Sequence, residues 1–375
     1  MLVYTIRRWD AAHTKNEVTN RVDTSKWKIV YDWVSNTTSS FTIANPLNLR
    51  NKINPGDFLY APDHKYVGLI KEYDEKTGEL TVGHIFNAYQ FPVQKVYNTM
   101  KFTSIASEIQ TRLTAVNGVY PGLKLDMINW TFDVQGNTDA TIHFGDGNDN
   151  LNVLTWWDYA SKLMVNSRGT NVPGTGLRVY ATGITNTSDK GIQINMKLDE
   201  TATTQTDFKY DITPESKKNR VIQNLVIEDK KLTHNAVVMF DSVTGDNLGT
   251  YFLDMGSGQV VTSIPNKSQW PIYYSGYLYD QTNNQPNESK PTLLQAATAQ
   301  LPVNQSDNFS FTMNATQRLV PVDSVMAGTR ITINVVDDKN ISQRTLVGVV
   351  STLEVTESLI TVKVGMLRPR LTLTI

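Results

Sequence analysis

The sequence predicts an α+β fold that is mostly β, with two small antiparallel β-barrel domains at the chain ends and α+β domains between them. Three observations support this fold class: an internal repeat, long stretches in which apolar and polar residues alternate, and three short segments with helical periodicity or helix caps. We expect domains at residues 1–100 (first barrel), 101–218 (α+β), 219–305 (mixed and strand-rich, ending in a short helix) and 306–375 (second barrel).

The internal repeat is centred on residues 53–85, where a glycine turn precedes two alternating strands. Residues 67–83 can be laid on residues 347–363 without a gap, which places Gly68 on Gly348 and preserves the alternation of both strands. A repeat at this spacing indicates that one structural unit occurs twice. We therefore expect a similar barrel near each end of the chain.

The segments before the two copies also match. Residues 40–43 are SFTI and residues 310–313 are SFTM, and the turn glycines Gly56 and Gly328 follow them. Only the hairpin after those glycines is expected to change length. The repeat thus extends upstream of the strand pair.

Almost all of residues 1–100 is predicted to be strand. Residues 2–7 and 27–34 alternate, with Gly, Pro and Asn at the breaks, as is typical of a half-buried antiparallel sheet. About six short strands are expected, and closure into a small barrel is the economical arrangement because it removes exposed edges.

The period changes to helical over residues 103–118, where apolar residues recur on one face. Thr103 or Ser104 is expected to accept the first amide hydrogens, and Gly118 suits the position after the last turn. The sequence therefore predicts an amphipathic helix of about four turns.

The rest of the second domain alternates between strands and a second helix. A hairpin-like region is expected from residues 129–134 and 140–144, followed by a helix over residues 151–167. Strands over residues 177–198 complete the domain, and residues 214–219 are predicted to be a linker.

The third domain returns to strands before the second repeat. Strands are expected at residues 226–227, 236–240, 249–253 and 259–264. A short helix is predicted to start with Ser289 as its cap and Pro291 in its first turn, and to end at Leu301. After the second repeat, residues 371–375 are predicted to form a last strand.

Composition excludes several classes of protein. The chain of 375 residues has a formal net charge of −1, so no overall basic surface for nucleic acid or an anionic membrane is expected. The absence of cysteine excludes disulfides, thiolate metal sites and cysteine nucleophiles. Residues 1–8 alternate like a strand rather than a signal peptide, and no apolar run approaches the roughly 20 residues that span a bilayer. We expect synthesis and folding in a cytoplasm, and no membrane-spanning segment.

One segment has the spacing of a calcium-binding loop. Asp146, Asn148 and Asn150 place oxygen atoms at the first, third and fifth positions. The sixth position lacks glycine and the twelfth, Trp157, replaces the usual glutamate. An Asx-rich turn that caps the following helix is therefore the favoured interpretation, and no cofactor beyond this calcium candidate is expected.

No residue can be assigned to catalysis, cofactor binding or metal binding. The five histidines show no metal-ligand spacing, and no nucleophile elbow or phosphate loop occurs. A glycosidase-like carboxylate pair stays open, because the environments that would separate two carboxylate pKa values are not visible in a sequence. Trp156 and Trp157 suit core packing better than a sugar-stacking platform. We expect a protein that is not an enzyme.

Four segments carry a resemblance to a known family: PGDFL at residues 55–59, YVGLI at 66–70, LTWWDY at 154–159 and residues 348–364. With the two end barrels and the absence of cysteine, they make the whole chain resemble the baseplate hub proteins of tailed bacteriophages. The resemblance is closest to the tail-associated (Tal-type) proteins of lactococcal siphophages, in the short form without a lysin domain.

The resemblance implies a structural virion protein of the tail tip, assembled in the host cytoplasm. Such hubs form homotrimers in which two barrels per chain alternate, giving six similar lobes that dock on a six-fold ring of the distal tail protein. The trimer is implied to cap or gate the channel through which DNA leaves, without sequence-specific binding. Receptor-binding proteins and the tape-measure protein are further implied partners, and Lys71 and Glu72 are expected on the docking face of the first barrel.

Two other functions stay open from the sequence. A carbohydrate-binding tail adhesin is also β-rich and poor in cysteine, although the heptad run of an adhesin neck is missing. A cell-wall hydrolase would need catalytic residues that no motif marks. The duplicated barrel favours the structural hub over both.

Overall fold

The structure is a computed structural model. It describes residues 1–7, 17–32, 37–49, 52–89, 91–92, 96–97, 99–119, 125–133, 140–143, 151–152, 154–166, 177–189, 191–200, 205–211, 221–228, 234–254, 259–265, 272–282, 290–301, 308–316, 321–336 and 342–365. The calcium-loop candidate at 144–150, the linker at 214–219 and the last strand at 371–375 lie outside these residues.

Strands dominate the described residues, which also contain three α-helices. The strands are β1 (Leu2–Arg7), β2 (Glu17–Tyr31), β3 (Ser39–Ile43), β4 (Phe58–Ala61), β5 (Tyr66–Asp74), β6 (Glu79–His84), β7 (Val96–Tyr97), β8 (Thr99–Phe102), β9 (Ile128–Asp133), β10 (Ala140–His143), β11 (Leu151–Asn152), β12 (Leu177–Thr187), β13 (Gly191–Glu200), β14 (Gln205–Asp211), β15 (Gln223–Glu228), β16 (Ala236–Asp241), β17 (Asn247–Leu253), β18 (Val260–Val261), β19 (Tyr274–Tyr279), β20 (Asn308–Asn314), β21 (Arg330–Val336), β22 (Ser342–Thr356) and β23 (Leu359–Val364). The helices are α1 (Ile105–Val119), α2 (Trp156–Asn166) and α3 (Leu293–Gln300).

The first six strands close into a barrel. Their hydrogen-bonded order is β1-β4-β5-β6-β3-β2, and β1 also pairs with β2, so the ring of six is complete. Phe41, Ile70 and Val82 are almost fully buried inside it. The predicted barrel and the mostly β fold class are confirmed, and closure gives every strand of the ring a paired neighbour on each side.

A second unit repeats this strand order. Strands β21, β22, β23, β20 and β15 pair in the order that β4, β5, β6, β3 and β2 have in the first barrel. The place of β1 is taken by β14, which pairs with β21 in parallel rather than antiparallel. Within the described residues the second unit is open between β14 and β15. We call these two units the first and second barrel units.

Gly56 and Gly328 occupy the same position in the two units, as the sequence predicts. Each precedes its strand with a left-handed φ, +96° and +95°. The Gly56 amide donates to the Ile70 carbonyl at 2.8 Å, and the Gly328 amide donates to the Val350 carbonyl at 2.9 Å. Since Ile70 and Val350 are also matched by the ungapped alignment, that alignment is correct through β5 and β22.

The alignment is wrong by two residues in the next strand. Leu80 pairs with Phe41 in the first unit, whereas Val362 pairs with Phe311 in the second. The residue of the second unit that is structurally equivalent to Leu80 is therefore Val362 and not Ile360. The β5–β6 and β22–β23 hairpins thus also differ in length. A shift of two residues leaves every side chain on its original face, so the alternation pattern does not reveal it.

Helices α1 and α2 pack beside the first unit, in an apolar cluster that includes Ile6, Phe58 and Val67 and is separate from the cluster inside the barrel. Ser104 caps α1, because its Oγ accepts from the Ser107 amide at 3.2 Å. The predicted start of the second helix at residue 151 is wrong: α2 begins at Trp156, after Thr155 Oγ1 accepts from the Asp158 amide at 3.1 Å. Residues 151–152 instead pair with β7, because a long-range strand pairing there overrides the local helical period.

The predicted hairpin between residues 129–134 and 140–144 does not form. Strand β9 runs parallel to β13 in the sheet β12-β13-β9, and β10 pairs with β8. Short apolar segments carry no information about which distant strand they pair with, so their sequence neighbours were the wrong partners.

A separate four-stranded sheet, β18-β17-β16-β19, packs against α3. The predicted cap Ser289 and first-turn Pro291 are wrong. Thr292 is the cap, with a capping box in which its side chain accepts from the Gln295 amide and the Gln295 side chain accepts from the Thr292 amide. The end of the helix at Gln300, followed by Leu301, agrees with the prediction.

Candidate assembly site

The two barrel units are joined by a seam in which β2 pairs antiparallel with β22. The pairs run from Lys28 opposite Thr356 to Tyr31 opposite Leu353. In β2, the seam lies after Asp23, the last residue described as paired with β1. In β22, it lies after Val349, the last residue paired with β21. The two units are therefore parts of one continuous sheet.

Apolar side chains and one buried carboxylate hold the seam. Ile29 and Leu353 are fully buried. Asp32 is buried as well, and its Oδ2 accepts hydrogen bonds from Thr352 Oγ1 at 3.3 Å and from Thr37 Oγ1 at 3.4 Å. Because a buried carboxylate needs such donors, the hydrogen bond from Thr352 links Asp32 to the second unit.

A charged contact on the surface also joins the units. Lys65 follows a 3₁₀ turn of the first unit in a left-handed conformation, and its Nζ forms an ion pair with Asp323 of the second unit. Its ammonium also lies 5.7 Å from the ring centroid of Tyr180 on β12. Both charged side chains are about half exposed, so this pair contributes less than about 1 kcal/mol.

Next to that contact lies a partly buried group that we call the β12 clasp, formed by Arg178, Tyr180 and Asp199. Arg178 donates to both carboxylate oxygens of Asp199, at 2.8 and 2.9 Å, and the Tyr180 hydroxyl donates to the same carboxylate at 2.9 Å. Burial and the hydrogen bond to Asp199 raise the pKa of Tyr180, so this hydroxyl stays a donor across the physiological range. The clasp lies directly beside Gly328 of the second unit.

The positions that the sequence places on the docking face lie at a bulge in β5. The register against β6 shifts between Ile70 and Glu72, which turns Glu72 outward and exposes it. Lys71 is half buried against Gly83, and burial lowers its pKa. Glu72 is thus the better probe of the outward surface, and its role in docking stays a prediction.

Trp156 belongs to the core rather than to a sugar platform. It is only 1% exposed and packs against Phe86 and Tyr89, with ring centroids 4.9 and 5.0 Å away. The side chain of Trp157 is not among those described. The expectation of core packing is confirmed for Trp156.

The three histidines whose side chains are described lie apart and have structural partners. His64 packs on Trp27 at 4.7 Å, and His234 Nε2 donates to the Gln300 carbonyl at 2.8 Å. His84 caps the 3₁₀ turn after β6, where its Nδ1 accepts from the Phe86 amide at 3.3 Å. Among the described residues no group of three His, Asp or Glu is placed to hold a metal ion.

His84 makes stability depend on pH. Burial lowers its pKa to about 3, against about 6.5 when unfolded, so the unfolded chain binds the extra proton in between. The contribution of His84 to the free energy of unfolding is therefore fully present above about pH 6.5. It falls on acidification, by about 2 kcal/mol at pH 5. In His84→Asn the amide oxygen replaces Nδ1 without titrating. We expect urea unfolding at pH 7 and pH 5 to differ less in the variant, and an identical pH dependence would contradict this role.

Sequence reasoning missed the seam, the β12 clasp and the participation of β14 and β15 in the second barrel unit. Seam and clasp depend on contacts between residues far apart in the chain, such as Asp32 with Thr352, which have no local pattern. One signal for β14 and β15 was available. Residues 306–375 hold too few alternating segments for a unit of about six strands, so additional strands had to come from elsewhere.

Within the described part of the chain, no helix combines the length and apolar character needed to cross a membrane.

No family model matches the sequence, and no curated protein matches it. Solved structures are similar in fold. The prophage tail protein gp18 from Listeria monocytogenes aligns with a TM-score of 0.51 and 10% identity, over 97% of this chain and 94% of that one. A chain of the phage p2 virion baseplate in its activated conformation aligns with a TM-score of 0.47 and 11% identity, over 98% and 99%. A 43 kDa tail protein of prophage MuSo2 from Shewanella oneidensis gives 0.42 and 10%, over 97% and 96%. The likeness to the Listeria protein extends over nearly the whole of both chains and shows a shared fold.

Proposed function

We propose that this protein is a structural hub of a bacteriophage tail tip or baseplate. In this role three copies form a ring that docks on a six-fold ring of the distal tail protein and caps or gates the exit channel for DNA. The observation that carries the proposal is the pair of barrel units with one strand order, joined in a single chain. The fold shared with a prophage tail protein supports the same role.

The duplication matters because of symmetry. A trimer of a chain with one barrel offers three equivalent docking surfaces, whereas a trimer of a chain with two similar barrels offers six. A six-fold partner can then contact every barrel in nearly the same way. The seam supports this role, since it holds the two units in one fixed relation through buried residues such as Ile29 and Leu353.

Channel capping, the tape-measure protein and the receptor-binding proteins are further parts of the proposal. They follow from the resemblance of the sequence to baseplate hubs. The near-neutral net charge of −1 agrees with a channel that lets DNA pass without binding it tightly.

The proposal is tested by the mass and shape of the purified protein. We expect light scattering to give three times the chain mass of 42.1 kDa, and negative-stain images to show a three-fold particle with six inner lobes. A protein that stays monomeric at high concentration, both alone and after addition of the distal tail protein, would contradict the proposal.

A further inference from the structure

Strand β15 has one edge that no strand covers in the described part of the chain. It is the last strand of the order β22-β23-β20-β15, and the structure describes no paired strand on its side away from β20. The equivalent edge of the first unit, on β2, is covered by β22 in the seam. The equivalence follows from two pairs, Lys28 of β2 with Ser40 and Val226 of β15 with the matching Ser310. An uncovered strand edge is a template for pairing with another strand.

The side chains of β15 are less buried than their counterparts in the seam. Ile29, one residue after Lys28, is fully buried. Ile227, one residue after Val226, packs against the same apolar cluster but is only partly buried, and Val226 is 54% exposed. A strand with alternating apolar residues beside β15 would give Ile227 the burial that β22 gives to Ile29.

The chain leaves β23 at the end of the sheet where β15 also ends. Val364 and Ile227 both pair with Phe309, and β23 and β15 run in the same direction because each is antiparallel to β20. Gly365 follows with a φ of +113°, and its amide donates to the Val349 carbonyl at 3.0 Å. On the other side of β23, β22 continues past this point and pairs with β21. The shortest route from Gly365 to an uncovered strand edge therefore crosses β20 and β15.

The residues after Gly365 have the length and the pattern for this edge. Residues 366–375 lie outside the described residues and read MLRPRLTLTI. Apolar and polar residues alternate over 371–375, as in a strand with one buried face, whereas Pro369 lacks an amide donor and suits a crossing. Five extended residues, 366–370, span about 17 Å, and the position beyond β15 lies three strand spacings from β23, about 14 Å. The crossing is therefore long enough.

We propose that residues 371–375 form a strand that pairs antiparallel with the outer edge of β15 in the same chain. A segment that crosses beyond β15 and turns back runs opposite to β15, as β22 runs opposite to β2 in the seam. Its apolar residues then lie on the core face beside Ile227, and Thr372 and Thr374 lie on the face of Val226. The covered edge is no longer a template for pairing with other chains. This contact lies within one chain, so it does not depend on the number of copies in the proposed hub.

The test uses engineered disulfides, since the chain contains no cysteine. Facing residues of paired strands lie close enough for a disulfide. We expect Val226→Cys to form a disulfide within one chain when it is combined with Thr372→Cys or with Thr374→Cys, whichever the register places opposite. The product migrates faster on a non-reducing denaturing gel, and mass spectrometry identifies the linked peptides. Val226→Cys with Leu373→Cys is the matched control, because Leu373 lies on the opposite face and is expected to give little product.

The outcomes separate this inference from its alternatives and from the proposed function. If neither threonine position forms a disulfide with position 226, the strand pairing is overturned. If the disulfide forms only between chains, as covalent oligomers on the same gel, the segment of another copy covers β15 and the proposal is also overturned. A monomer by light scattering that forms the disulfide within its chain contradicts the hub and leaves this inference standing.

A second measurement leaves β15 itself unchanged. Leu371→Asp with Leu373→Asp places two carboxylates against the core, so amide hydrogen exchange over residues 223–228 should rise at least about 10-fold. Thr372→Asp with Thr374→Asp adds the same charge on the outward face and should change this exchange less than about 2-fold. Residues 39–43 of the first unit are the internal reference. Equal exchange over residues 223–228 in the wild type and both variants would contradict the pairing.

Discussion

Replacing Gly328 with alanine should destabilise the protein by about 3–5 kcal/mol, whereas the same change at the equivalent Gly56 should cost about 1–2 kcal/mol. Both glycines have nearly the same left-handed φ, +95° and +96°. The cost of forcing alanine into that conformation is therefore shared. The difference between the two variants isolates the effect of the surroundings.

The surroundings differ because Gly328 lies against the start of β12, whereas Gly56 does not. A Cβ on Gly328 would lie 2.2 Å from the carbonyl oxygen of Leu177 and 2.6 Å from its carbonyl carbon. Backbone atoms of a strand cannot move aside as a flexible side chain does, so β12 or the turn must shift. A Cβ on Gly56 has nothing within 4 Å. We assign about 2–3 kcal/mol to the clash.

Urea unfolding of the two alanine variants and the wild type measures this difference. Because the chain has several cores, unfolding should be followed by tryptophan fluorescence and circular dichroism together. Equal destabilisation by the two variants would show that a Cβ at position 328 does not clash with the backbone of Leu177 in β12. Gly56→Ala is thereby the internal control for Gly328→Ala.

The pair of glycines also shows what the sequence could predict about the fold. Periodicity and turn chemistry identified the repeat, the barrel strands and α1, because each depends on neighbours within a few residues. The equivalence of Gly56 with Gly328 was visible for the same reason. The close contact with Leu177 was not, since it joins residues far apart in the chain.

The assembly site was predicted only in part. Lys71 and Glu72 were expected on an outward face, and the structure exposes Glu72 because a bulge after Ile70 changes the face on which it lies. The partners of β14 and β15 are set by tertiary contacts, and strand pairing between distant segments leaves no local pattern. The four-domain division at residues 1–100, 101–218, 219–305 and 306–375 stays a prediction. Strands β14 and β15, from upstream of residue 306, pair with the second unit.

The second large effect is expected at the β12 clasp. Asp199→Ala should destabilise the protein by about 3–5 kcal/mol, because it leaves the guanidinium of Arg178 partly buried without its carboxylate. The side chain of Asp199 is only 6% exposed and that of Arg178 17%. Tyr180 also loses its hydrogen-bond acceptor in the variant. Removal of one partner of a buried pair is costly even where the intact pair contributes little.

The same sheet provides a matched control. Asp133 on β9 accepts from Lys197 on β13 at 3.0 Å, but the side chain of Asp133 is 56% exposed. Water replaces the lost partner at such a site, so Asp133→Ala should cost less than about 1 kcal/mol. Both variants remove a carboxylate that pairs with a cation of the β12-β13-β9 sheet. Asp199 is the more buried of the two and accepts three hydrogen bonds from Arg178 and Tyr180, whereas Asp133 accepts one from Lys197.

The clasp also lies against the turn that precedes β21 in the second barrel unit. Gly328 lies against Leu177 and Arg178, so loss of the clasp should loosen the second barrel unit rather than the first. Hydrogen exchange of Asp199→Ala should then rise over residues 328–336 and change little over residues 56–61. If both segments exchange faster to the same extent, the clasp stabilises the whole molecule. If neither changes while unfolding free energy falls, its contribution is confined to the β12-β13-β9 sheet, and the second unit is held by its seam with β2.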